Sequence, residues 1–204
     1  VLIKDFTLDH PDCYTDRDGI HEIYRGWRRV VDGYAGDRVL IGELWLPDHE
    51  RFAAYLRRDE LHTAFNFQFL SSAWDPAALR SCVDATLAAH APVDAHATWV
   101  LSNHDVTRHV TRYGRADSTF EFGGKLFGTP SDLVLGTRRA RAAALLAMAL
   151  PGGVYVYQGE ELGLPEVEED IPAEMRQDPF YRRSGYTDPG RDGCRVPIPW
   201  SSDA

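Results

Sequence analysis

A chain of 204 residues, 44% hydrophobic and 26% charged, has enough apolar material for a buried core and an ordinary soluble-type surface. Its formal net charge of −9 is spread along the sequence, which argues against nucleic acid or an anionic membrane as partner, since both need concentrated Lys and Arg. No apolar run reaches the roughly 18–20 residues of a membrane span, and V-L-I-K-D-F (1–6) has neither basic leader nor cleavage site.

In chain order, residues 19–35 carry Ile20, Ile23, Tyr24, Trp27, Val30, Val31 and Tyr34 near a helical period and predict a helix. Residues 38–46 predict a strand. Asp48 caps a helix running from His49 to about Arg58, with Phe52, Tyr55 and Leu56 facing inward. A second strand is expected over 63–70. Asp75-Pro76 opens a helix through about His90 that buries Leu79, Cys82, Val83 and Leu87. A third strand covers 97–101. Thr137 opens a helix over 138–150, with Arg138, Arg139 and Arg141 on its solvated side, and Pro151-Gly152-Gly153 ends it. The fourth strand is 153–157.

The strand runs lack strict alternation, as expected of strands covered on both faces. Their alternation with helices predicts a parallel α/β sheet built by right-handed crossovers. Residues 1–157 read as βα units of one partial domain over 1–204, and 158–204 as a long loop after the last strand. Four strands cannot close a barrel and leave two edges unpaired, so homo-oligomerisation through those edges is expected. Cys13, Cys82 and Cys194 are scattered without metal-like spacing and read as reduced thiols of a cytoplasmic protein.

The chemistry-bearing residues gather at the ends of the strand runs. Glu43 lies inside V-L-I-G-E-L-W-L (39–46), where a carboxylate is costly unless it is paired, hydrogen-bonded or used. Gly42 leaves room beside it, while Leu44, Trp45 and Leu46 predict a dry setting in which a carboxyl keeps its proton and serves as a general acid. Pairing with a structural arginine fits the local sequence equally well.

W-V-L-S-N-H-D (99–105) delivers Asn103, His104 and Asp105. A carboxylate there can steady positive charge developing on a substrate, and an imidazole can donate to a hydroxyl, which together suit a polyol. The same residues fit a turn or helix cap, and Asp105 with Arg108 fits a local ion pair. In Y-V-Y-Q-G-E-E-L-G (155–163), Glu160 and Glu161 repel unless one reaches a cation or a helix N-terminus. G-R-D-G-C-R-V-P-I-P-W (190–200) sets Arg191 and Arg195 in a Gly/Pro-pinned loop with Trp200, a rim for sugar hydroxyls, though surface loops carry such mixtures often. His10, His21 and His62 read as surface or packing residues. No serine elbow, phosphate-cradling glycine loop or zinc spacing is present.

Taken in order, L-I-G-E-L-W, W-V-L-S-N-H-D-V-T-R, Y-Q-G-E-E-L-G and G-R-D-G-C-R-V-P-I-P-W resemble the α-glucosidase branch of the α-amylase family of glycoside hydrolases, family thirteen. The resemblance runs over essentially the whole chain and implies the C-terminal half of a (β/α)8 TIM barrel. It implies Glu43 as general acid/base, Asp105 as the transition-state-stabilising aspartate and His104 as a hydroxyl-binding histidine. It further implies Arg191 as the arginine closing the terminal-glucose subsite, with Asn103 and Arg195 as additional substrate-binding candidates. Neither cofactor nor catalytic metal is implied.

The family nucleophile is an aspartate in an R-x-D motif shortly before a segment like V-L-I-K-D-F, and no such motif precedes Val1. The resemblance therefore predicts part of a retaining α-glucosidase acting on terminal α-linked glucose of oligosaccharides, inactive as an isolated chain. The same motifs leave open a glucosyl isomerase or a trehalose- or sucrose-acting transglycosylase. They also leave open a non-catalytic barrel homologue serving as a binding or structural subunit.

Overall fold

The computed structural model describes residues 16–120, 127–168 and 171–201; the 1–6 segment, His10 and Cys13 lie outside them. Helix α1 spans Gly19–Asp32, followed by strand β1 (Ile41–Gly42) and helix α2 (His49–Ala54). Strand β2 (Thr63–Ala64) leads into helices α3 (Phe67–Ser71) and α4 (Pro76–His90), then strand β3 (Thr98–Val100). Helices α5 (His109–Tyr113) and α6 (Leu133–Ala149) precede strand β4 (Gly153–Tyr155), and helix α7 (Pro179–Arg183) lies in the long loop beyond.

Both described strand pairs are parallel. Ile41 and Gly42 of β1 face Thr63 and Ala64 of β2, and Thr98, Trp99 and Val100 of β3 face Gly153, Val154 and Tyr155 of β4. The Thr98 hydroxyl donates to the Ala64 carbonyl, so a side chain joins β2 to β3 where no ladder does. Parallel pairs joined by helices make the α/β architecture that the alternation predicts.

Local chemistry sets the element boundaries. Asp75 Oδ1 accepts the Ala78 N–H at 2.8 Å and Pro76 occupies the first turn, starting α4 where predicted. Asp48 Oδ1 accepts the Arg51 N–H at 2.7 Å and starts α2, which stops at Ala54 rather than near Arg58. The expected strand over 63–70 is cut to two residues. Asn66 Oδ1 accepts the Phe69 N–H at 3.0 Å and caps α3, so the aromatic run turns helical.

Helix α6 begins a turn earlier than Thr137, capped by Asp132 at 2.9 Å from the Leu135 N–H. Gly136 does not break it. A Cβ there would stand 2.0 Å from the Val110 carbonyl oxygen, so glycine is what lets α6 cross α5 closely. Arg138 and Arg141 are exposed as expected, whereas Arg139 is half-buried and donates to the Tyr113 carbonyl at 2.8 Å.

The core lies on both faces of β3. Trp99 and Leu101 pack with Phe69, Leu79, Val83, Tyr113, Ala143 and Ala147 on the helical side; Val100 joins Phe67, Leu70 and Val106 on the other. Burying side chains such as Leu79 and Val83 contributes roughly 1.5–3 kcal/mol each. Coverage on both faces does not extend to β4, whose Val154 is exposed, with Val156 just beyond it. Helix α1 likewise turns Ile23, Trp27 and Val30 to solvent, as does Tyr34 just past its end, while His21 is buried 2.6 Å from Glu60. No helix among the described residues is long and apolar enough to cross a membrane.

Candidate active site

The C-terminal ends of β1, β3 and β4 open on a cavity of about 210 Å³. Glu43 just past β1, Asn103 and His104 from the turn after β3, Tyr155 at the end of β4 and Tyr157 just beyond line it, together with Phe65 and Phe67. Glu43 is exposed, so the dry setting expected for it is absent. The Trp45 ring stacks on Phe67 at 4.0 Å between ring centroids. Gly42 is indeed the close-approach point, since a Cβ there would stand 2.6 Å from Leu61.

Arg191 is the hub of a second group. Its Nη1 donates to Asp105 Oδ1 at 2.7 Å, while Nε and Nη2 donate to Asp178 at 2.5 and 3.0 Å. Its own amide N–H adds a bond to Asp178 Oδ2 at 2.8 Å. Arg195 donates Nη2 to Asp105 Oδ1 at 2.8 Å and Nε to the His104 carbonyl at 2.7 Å. The arginines paired with Asp105 are thus Arg191 and Arg195. Arg108 instead is buried and donates to the Gln158 and Cys194 carbonyls. Asn103 Oδ1 accepts the Asp105 N–H at 2.8 Å, an Asx turn that holds Asp105 at the loop tip, and His104 Nε2 lies 3.5 Å from Asp105 Oδ2.

His104 belongs to both groups, so one turn brings the Glu43 cavity and the Asp105–Arg191–Arg195 network together. Trp200 is 92% exposed and makes no wall.

Three features were missed or only partly read from the sequence. Asp178, its side chain fully buried, anchors Arg191. Burial pushes its carboxyl up, but the Arg191 guanidinium and the Phe180 and Arg191 amides outweigh that and hold it down at about 2. Second, Glu160 feels the Arg108 charge, which only partly offsets its burial. It is buried against Ser102, and desolvation pushes its carboxyl up to about 7. Its Oε1 lies 3.7 Å from His109 Nδ1, but burial pushes that imidazole down to about 3, helped by Arg112 and Arg108. Both groups are neutral around pH 5–6, so proximity there is not an ion pair. Third, Ser102 Oγ accepts the His109 N–H at 3.0 Å, which ties α5 to the start of the Asn103–Asp105 turn. An isolated Asp between Gln and Pro carries no signal of such a partner, whereas the adjacent Glu160-Glu161 pair did flag a problem needing a solution.

Cys82 and Cys194 are free, buried thiols. Among the described residues, no group of three or more His, Cys, Asp or Glu is placed to hold a metal ion.

The alpha-amylase catalytic-domain family matches residues 4–204. A protein named probable alpha-glucosidase from Rhizobium meliloti (strain 1021) is 34% identical over 145 residues, covering 71% of this chain and 23% of its own length. Maltase A1 of Drosophila melanogaster is 27% identical over 224 residues, covering 96% of this chain and 33% of its own length. The crystal structure of the α-glucosyl transfer enzyme XgtA superposes with a TM-score of 0.68 at 32% identity, over 91% of this chain and 31% of that one. The Bacillus licheniformis trehalose-6-phosphate hydrolase shares the fold, with a TM-score of 0.65 at 23% identity, over 92% of this chain and 36% of its own. The chain spans between about a quarter and somewhat over a third of the length of these proteins. It belongs to the alpha-amylase catalytic-domain family, and its parallel β/α units are part of that family's barrel.

Proposed function

We propose that the chain supplies the proton-transfer group and the terminal-sugar clamp of a retaining α-glucosidase. The observation that carries this reading is the position of His104, on the wall of the cavity bearing Glu43 and 3.5 Å from an Asp105 carboxylate fixed by two arginines. In retaining hydrolysis one carboxylate attacks the anomeric carbon, while a second protonates the departing oxygen and later takes a proton from water. Glu43, exposed at the cavity rim, takes the second role. Asp105 accepts hydroxyl hydrogens of the terminal glucose and faces the positive charge growing on its ring. His104 and Arg191 donate to the remaining hydroxyls, and Asn103 and Arg195 keep the Asp105 turn in place.

Asp105, with one oxygen held by Arg191 and Arg195, is a poor nucleophile. Glu43 is the one carboxylate among the described cavity-lining residues. The 204-residue chain alone is therefore expected to leave 4-nitrophenyl α-D-glucopyranoside intact. The full protein that carries this chain should release 4-nitrophenol from it, with initial retention of the α-anomer by NMR. Glu43→Gln should lose at least about a hundredfold in kcat, the span of general acid–base catalysis. A full protein silent on α-glucosides, or a Glu43→Gln variant of undiminished rate, overturns the reading.

The likeness to an α-glucosyl transfer enzyme favours a second reading, delivery of the glucosyl group to a sugar hydroxyl instead of water. Product analysis with maltose decides between them: trisaccharides mark transfer, glucose alone marks hydrolysis.

A further inference from the structure

Residues 177–178 and 190–192 are stapled to each other in both directions. The Asp178 carboxylate takes the Arg191 amide at 2.8 Å, and the Asp192 carboxylate takes the Asp178 and Gln177 amides at 3.1–3.2 Å. Gly190 makes the approach possible. It holds φ at +75°, and a Cβ there would sit 3.0 Å from Asp178 Cβ and 3.2 Å from Oδ2. Within the staple, both Asp178 oxygens bind the Arg191 guanidinium on the edge away from Asp105, and the Phe180 ring lies 5.1 Å from its central carbon. Such bidentate pairing fixes the plane of an arginine as well as its position. One nitrogen, Nη1, is left pointing at Asp105.

We propose that Asp178 is a positioning residue for substrate binding: it locks the plane of Arg191 so that a single donor faces Asp105 and the sugar hydroxyls that Asp105 receives. This rests on the α-glucosidase reading and goes beyond it, because it places the anchor of the sugar clamp on a side chain that never meets the sugar. Arg191 without its anchor has freedom to swing fully onto Asp105 and to occupy the oxygens meant for substrate. The lock acts on ground state and transition state alike, so its loss raises KM and spares kcat.

The test uses the full protein that carries this chain, with 4-nitrophenyl α-D-glucopyranoside as probe. Asp178→Asn keeps the shape and removes the charge. It is expected to raise KM about tenfold or more with kcat within about threefold. In an Arg191→Ala background the same substitution is expected to change KM by less than about twofold, because nothing remains to be positioned. Gly190→Ala supplies a second route that leaves both charges in place: the added methyl crowds Asp178, and the same KM-selective loss is expected. An unchanged KM in both variants overturns the proposal. So does an equal loss with and without Arg191, since a purely structural role behaves that way. Where Asp178→Asn shows no cooperative thermal transition, Gly190→Ala alone decides. A wild-type protein without turnover overturns the α-glucosidase reading itself, which separates that failure from failure of the lock.

Discussion

Arg108 and Cys194, separated by 86 positions, are joined by a guanidinium–carbonyl hydrogen bond of 3.0 Å. The same buried guanidinium donates to the Gln158 carbonyl at 2.9 Å and lies 4.9 Å from the centre of the Tyr157 ring. Tyr157 in turn donates its hydroxyl to the Cys194 carbonyl at 2.9 Å. One residue at the start of α5 thereby ties the loop after β4 to the turn that carries Arg191 and Arg195. Arg108→Met leaves buried carbonyls without a charged donor and is expected to cost about 2–4 kcal/mol. Amide exchange over 192–195 should quicken in parallel. Exchange at the wild-type rate would show that other donors hold this turn.

Glu160 and His109 give the fold opposite responses to pH. Folded Glu160 keeps its proton to about 7, against an ordinary 4.5, so the folded state binds more protons in that interval and loses stability as pH rises through it. Folded His109 titrates at about 3, against an ordinary 6.5, so the unfolded state binds more protons and stability grows as pH rises from 3 to 6.5. The charged groups facing the pair are Arg108 and Arg112. Glu160→Gln removes the first response and keeps the second. Between pH 4.5 and 7, urea denaturation should therefore show the variant gaining stability relative to wild type. Parallel curves would mean that Glu160 does not titrate in that range.

Asp178 adds an acid-side response of its own. Its folded value of about 2 lies below the ordinary 3.8, so its contribution is complete above pH 3.8 and disappears as pH falls toward 2. Asp178→Asn should flatten that part of the acid-unfolding curve, followed by far-ultraviolet circular dichroism. A curve of unchanged steepness between pH 4 and 2 would show that other carboxylates set it.

Gly136→Ala is a test of opposite tendencies. Alanine is the better helix former by about 0.8–1 kcal/mol, which alone would stabilise α6. Its Cβ would stand 2.0 Å from the Val110 oxygen and 3.1 Å from the Gly114 nitrogen, both backbone atoms that cannot step aside. Overpacking of this kind costs roughly 1–3 kcal/mol and is expected to win. A thermal midpoint raised by the substitution would show that the α5–α6 crossing gives way easily.

What the sequence made legible was what is local. Asp75-Pro76 and Asp48 act through amides three residues on, so α4 and α2 start where their caps predict. Asn66 is equally local, but it stands among Phe65, Phe67 and Phe69, whose aromatic bulk reads as strand and masks the cap. Gly136 reads as punctuation, because its use is a contact with another helix and no pattern along α6 reveals it. The four motifs place Glu43, Asn103, His104, Asp105, Arg191 and Arg195 at the ends of successive strands and in the final loop, where the structure also has them. The exposure of Glu43 was not legible, since it depends on what packs around the end of β1 in space and not on its sequence neighbours. Asp178-Pro179 is a local helix start like Asp75-Pro76, but the pairing of Asp178 with Arg191, thirteen positions later in a stretch without periodicity, was silent.

The clasp between 177–178 and 190–192 also bears on how such a protein can change. A loop whose two ends are already fastened feels an altered length between them only weakly, about 0.6 kcal/mol for each doubling. Residues 179–189, which include α7, hang from that clasp. This span can be lengthened, shortened or exchanged while Arg191 stays fastened to Asp178 and aimed at Asp105. Change in this span is thereby separated from the ion-pair network from which it hangs.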